Sequence, residues 1–157
     1  MRTRLFFHYS VDYTFPEDVQ KEIISTIEGQ SFSVSKGKVG DLKKSVWDRL
    51  TSQFQWSGPV MLDADSKISI TGALCRSSRT YGICIQTGNM GRMYADLIKL
   101  QTIFCRKQIE SAVFILPGSD LANKLGSNLA NFDRLTRELP IFNLVITIPL
   151  LVVAIDM

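Results

Sequence analysis

Three kinds of side chain able to do chemistry sit in the middle of this 157-residue chain: two thiols, Cys75 and Cys84; a carboxamide, Gln86; and two acids, Asp63 and Asp65. Paired thiolates take soft metals or pass between thiol and disulfide, whereas carboxylates hold hard cations such as Mg²⁺. A structural zinc site wants four ligands, and His8, the one imidazole, brings the thiol pair only to three. With a single histidine and no nucleophile elbow there is no basis for a Ser-His or Cys-His hydrolase. Gly88, Gly91 and Gly126 do not form a phosphate-binding fingerprint, since no Lys-Ser/Thr follows them.

These groups need a scaffold, and the pattern around them predicts a hairpin followed by a helix. Over residues 81–87, Tyr81, Ile83, Ile85 and Thr87 fall on one face of a strand, and Cys84 and Gln86 on the other. Residues 68–74 are its expected partner, across a turn at 77–80 that carries Arg76 and Arg79 at its edges. Gly88 and Asn89 stop the strand, and Met93, Leu97, Leu100 and Phe104 then repeat at helical spacing. Cys105, beside Phe104, reads as core packing. The face with Cys84 and Gln86 thus ends beside a helix N-terminus, whose free N–H groups favour anions.

The flanking elements follow from the same periodicities. A strand at 4–9 precedes a helix that Thr14 caps and Glu17 opens, with Val19, Ile23, Ile24 and Ile27 inward and Gly29 at its end. A polar connection containing Lys36 and Lys38 leads to a second helix from Asp41, striped by Leu42, Val46, Leu50 and Phe54. Lys43, Lys44 and Arg49 lie off that stripe, as a solvated face or as a patch that meets phosphate. Residues 112–116 read as a buried strand. One long helix is expected from Ser119 or Asp120 to Leu139, and a last buried strand within 141–155, kinked or broken at Pro149. The sum is an α/β domain, residues 1–157, with a mixed sheet flanked by helices.

Composition narrows the classes. At 45% hydrophobic and 21% charged the chain has the content of an ordinary core-forming domain. Eighteen Lys and Arg against 15 Asp and Glu give +3, which permits nucleic-acid binding without requiring it. Three widely spaced cysteines are no disulfide framework, so a reducing, cytoplasmic setting is expected. No signal peptide or membrane partner is expected: Leu5-Phe6-Phe7 is interrupted by His8, and 141–155 is shorter than the ~20 residues of a membrane span.

The order of motifs is recognisable. Cys75, eight residues, Cys84-Ile85-Gln86, then Thr87-Gly88-Asn89, a helix bearing Tyr94, Asp96 and Lys99, and a strand ending in Pro117 together resemble the BglII-like type II restriction endonucleases. That family is a branch of the Pro-Asp…Asp/Glu-x-Lys nucleases. The resemblance implies a restriction-endonuclease-like core that binds double-stranded DNA as a homodimer, with an Asp and a Glu-x-Gln holding a divalent metal. Gln86 and Asn89 match the pattern; Cys75 stands where the Asp is expected and Cys84 where the Glu is expected. Thiols are poor Mg²⁺ ligands, so the expected protein is a catalytically impaired DNA binder without a cofactor, needing Mg²⁺ only if active. Three accounts of the cysteines stay open: thiols filling a degenerate site, Asp63 and Asp65 supplying the missing acids, or a soft-metal or redox site. Lys36, Lys38, Arg76 and Arg79 are the expected phosphate contacts. The alternatives are a subunit or inhibitor that reuses the fold for protein interaction, and an active nuclease with relocated acids.

Overall fold

The computed structural model describes residues 1–8, 15–29, 31 and 39–157. Its strands are β1 (Arg2–His8), β2 (Val60–Asp63), β3 (Ile68–Ile70), β4 (Gly72–Arg76), β5 (Arg79–Ile85), β6 (Ser111–Pro117) and β7 (Leu150–Asp156). The helices are α1 (Glu17–Glu28), α2 (Val39–Phe54), α3 (Met90–Cys105), α4 (Ser119–Leu125) and α5 (Phe132–Glu138). Five strands form one sheet in the order β1-β7-β6-β5-β4, parallel through β5, β6 and β7 and antiparallel at both edges; β2 and β3 pair as a separate hairpin. The mixed α/β architecture expected from the sequence is therefore present.

Alternation along the strands divides the core in two. Leu74, Tyr81, Ile83, Ile85, Val113 and Val153 pack with α1, α2 and α4 on one face. Cys84, Phe114, Val152 and Ala154 pack with α3 and α5 on the other. Because β6 is central and covered on both sides, every one of its residues is buried. The α1 stripe of Val19, Ile23 and Ile27 and the α2 stripe of Leu42, Val46 and Leu50 are fully buried as their spacing predicts. Thr14, the expected cap of α1, lies outside the described residues.

Four expectations are corrected. Residues 68–74 are two strands with a bend at Thr71, because Ile70 pairs with Val60 while Gly72 pairs with Ile83. The expected long helix at 119–139 is α4 and α5 with a break between them, where Ala130 donates its N–H to Gly88 O at 2.9 Å and Leu129 bridges Asn89. The last strand starts only after Pro149, and Ile141, Leu144 and Val145 before it are exposed. On α3, Cys105 is exposed where it was expected to pack; Phe104 does pack against the core, partly buried, and Ile103 beside it is fully buried. His8 behaves as a satisfied strand histidine, its Nε2 lying 2.8 Å from Ile146 O. Among the described residues no helix is long and apolar enough to cross a membrane.

Candidate functional site

The parallel strand β5 ends at the opening between α2 and α3, the kind of place where α/β sheets bind ligands. Its last residues are tied on both sides: Ile85 N–H donates to Thr71 Oγ1 at 3.2 Å, and Gln86 N–H to Ile115 O at 2.8 Å. Gln86 is buried, and both ends of its amide are occupied. Its Nε2 donates to Asp96 Oδ2 at 2.6 Å, and its Oε1 accepts from Gly88 N–H at 2.6 Å. Asp96 in turn holds Lys99 Nζ at 2.8 Å through its other oxygen. Asn89 caps α3, its Oδ1 accepting from Arg92 N–H at 3.0 Å.

Cys84 lies beneath this cluster, fully out of solvent. Burial, reinforced by the negative field of Asp96, pushes its thiol up to about 12. It is therefore a protonated, inert sulfur at neutral pH. Above it opens a hollow of about 530 Å³ walled by Lys43, Lys44 and Trp47 of α2, by Ile70 and Thr71, and by Asp96 and Lys99 of α3. An adjoining hollow of about 510 Å³ shares Lys43, Asp96 and Lys99 and reaches Gln86 and Arg92. Among the described residues no carboxylate lies within ion-pair distance of Lys43, Lys44 or Arg92. Four cations thus surround one carboxylate, so the cleft attracts anions.

The structure does not bring the other sequence-derived candidates here. Cys75 is exposed and pairs with Thr80 near the hairpin turn. It shares a sheet face with Cys84, yet four residues of strand separate the two positions, roughly 13 Å. Continuing the register from Gly72 and Ile83 places Thr71 opposite Cys84. Arg76 points to the other face, two positions on from the core residue Leu74, and pairs with Glu22 and with Asp18 at 3.2 Å on α1. Arg79 also falls on that face and lies 3.7 Å from Glu110. Asp63 ends β2 and Asp65 sits in the turn that joins it to β3. There Ser66 N–H donates to Asp63 at 3.0 Å, and that bond holds the carboxyl below its usual range. Arg106 at the end of α3 fixes this hairpin by donating to Leu62 O at 2.9 Å, ten residues and about 15 Å of helix beyond Asp96. Lys36 and Lys38 lie outside the described residues.

Two members of the site were not singled out from sequence as a pair. Asp96 read as the partner of a surface lysine, which it is, but it also grips the buried Gln86; Lys43 read as one of several cations off a helix stripe. The signal available was position: Asp96 follows the inward Met93 by three residues, and Lys43 adjoins the inward Leu42.

The donor set does not suit the divalent metal that the resemblance implies. A hard cation needs several oxygens, and the cleft has one carboxylate already shared by Lys99 and Gln86, an amide oxygen engaged by Gly88, and a neutral thiol. Among the described residues no three His, Cys, Asp or Glu side chains come together.

Comparison with known proteins agrees with the fold. The crystal structure of the restriction endonuclease BglII complexed with a DNA 16-mer superimposes with a TM-score of 0.82 at 13% identity, covering 100% of this chain and 79% of that one. Free BglII gives 0.72 at 15% identity, covering 100% and 80%. No curated protein matches the sequence significantly. The family model for restriction endonuclease BglII/BglIII matches residues 14–155. The chain belongs to the BglII/BglIII restriction endonuclease family.

Proposed function

We propose that this chain is a DNA-binding member of the Pro-Asp…Asp/Glu-x-Lys nucleases that has lost metal-dependent cleavage and binds double-stranded DNA at the cleft between α2 and α3. One observation carries the reading: Lys43, Lys44, Arg92 and Lys99 line the two adjoining hollows while Asp96 is the one acid in either of them. A duplex supplies the anions that such a surface attracts, and a single carboxylate is too few oxygens to activate water through Mg²⁺. Residues 1–157 act as one restriction-endonuclease-like domain in the cytoplasm, a setting in keeping with three unpaired cysteines.

The DNA-binding form is a homodimer. Support comes from an apolar surface on the outer side of α3: Ile98 is exposed one turn beyond Tyr94, whose ring meets Phe142 edge-on at 6.0 Å, and Ile141, Leu144 and Val145 continue it. Contiguous apolar surface of this kind marks an interaction site.

Fluorescence anisotropy of a labelled duplex across roughly 50–300 mM salt, about a sixfold range of ionic strength, tests the DNA reading through counterion release. Affinity should fall steeply with salt, and Lys43→Glu with Lys44→Glu should weaken binding by about 100-fold. Arg76→Ala, which removes a cation engaged with α1, should change affinity less than about twofold while lowering thermal stability. Salt-independent or undetectable binding would remove DNA as the ligand and leave a protein-interaction role. Incubation with Mg²⁺ or Mn²⁺ should leave the duplex intact, and sedimentation should show a dimer that Ile98→Glu dissociates.

A further inference from the structure

We infer that the cleft holds a DNA phosphodiester without a divalent ion, the ammonium groups of Lys43 and Lys99 supplying the positive charge from opposite walls. The inference rests on the DNA-binding reading above and goes beyond it by naming what neutralises the phosphate. Lys43 arrives from α2 and Lys99 from α3, and both border the hollow over Cys84. Lys99 is held in place by Asp96 at 2.8 Å, and Asp96 by the buried Gln86 at 2.6 Å. The chain from Gln86 through Asp96 thus positions a cation rather than offering a vacant ligand. Gln86 cannot turn its oxygen to a metal without giving up Gly88 N–H. Lys43 has no carboxylate partner among the described residues, so its charge is uncompensated until an anion arrives. Each ammonium offers three donors, enough to share between a phosphate and the wall that holds it.

The position of Asp96 makes the idea decidable. If it held a metal, neutralising it would weaken DNA binding. If it holds Lys99 beside a phosphate, its own charge opposes the ligand, and neutralising it should strengthen binding. The experiment is duplex binding by anisotropy in EDTA and in Ca²⁺ at matched ionic strength, for the wild-type chain, Lys43→Ala and Asp96→Asn, with circular dichroism confirming that each variant is folded. The expected result is a Kd that agrees within about twofold between the two buffers, about tenfold weaker binding for Lys43→Ala with a salt slope reduced by about one, and about threefold tighter binding for Asp96→Asn. Binding that Ca²⁺ tightens more than about tenfold, with the gain lost in Asp96→Asn, would overturn the inference while leaving DNA binding intact. Absence of binding in both buffers would instead overturn the DNA reading itself.

Discussion

The β4–β5 hairpin has two ends built from similar residues and put to different uses. At the turn end, Cys75 is open to solvent and Arg76 and Arg79 are spent on acids of α1 and on Glu110. At the other end, Cys84 is sealed and the nearby Lys43 and Lys44 form no ion pair among the described residues, sharing their hollow with Asp96, which holds Lys99. A thiol or a cation therefore means little by its type alone. Its face and its distance along the strand decide whether it belongs to a site.

The sharpest way to break the comparison is to restore acids at each end in turn. Thr71→Asp with Cys84→Glu should place two carboxylates opposite each other beside Asp96, whereas Cys75→Asp with Cys84→Glu should leave them roughly 13 Å apart. Both double variants bury a charge at position 84 and should lose about 3–5 kcal/mol in the absence of metal. Mn²⁺ should recover stability in the first and not in the second, as read by thermal melts and by electron paramagnetic resonance of the ion. Equal recovery in both would mean that the hairpin register does not select the metal position.

A smaller effect separates the two thiols by pH. The folded state holds Cys84 protonated up to about 12, whereas the unfolded chain releases that proton near the ordinary thiol value of 9.0. Stability from this group is complete below pH 9 and declines as pH rises from 9 toward 12, by roughly 1.4 kcal/mol per pH unit at most. Denaturant titrations at several alkaline pH values should show that component removed in Cys84→Ala and retained in Cys75→Ala.

The smallest expected change lies at the turn. Ser77 and Ser78 both have positive φ, 51° and 62°, the pattern of a type I′ turn that favours Asn-Gly. Ser78→Gly should stabilise the fold by about 0.5–1 kcal/mol without altering DNA affinity, measurable by chemical denaturation. A loss of stability would show that the seryl side chain contributes more than its backbone strain removes.

Much of this was legible before coordinates. Alternation over 81–87 placed Cys84 and Gln86 on one face, and three-and-four spacing found α1, α2 and α3, because both periodicities are local. Parity, however, says which face a residue takes and not how far along it lies, so Cys75 looked nearer to Cys84 than the register allows. The apolar spacing from Leu121 to Leu139 could not reveal the break after α4, since the bond from Ala130 to Gly88 joins segments 42 residues apart in number. Arg76 was read as free for phosphate because Asp18 and Glu22 precede it by 58 and 54 residues. The cleft itself arises only where α2 and α3 approach from different faces of the sheet.

Helix α3 bears Asp96 and Lys99 toward the cleft and Tyr94 and Ile98 toward the apolar surface. Gln101, farther along it, fastens the approach to β7 by accepting from the N–H groups of Thr147 and Ile148 at 2.9 and 3.0 Å. One rod therefore serves as a gauge: any second copy seated against Ile98 would have its own basic groove set off by the thickness of this helix, about 10 Å on each side, and the pitch between paired grooves would follow from that rod rather than from any flexible segment.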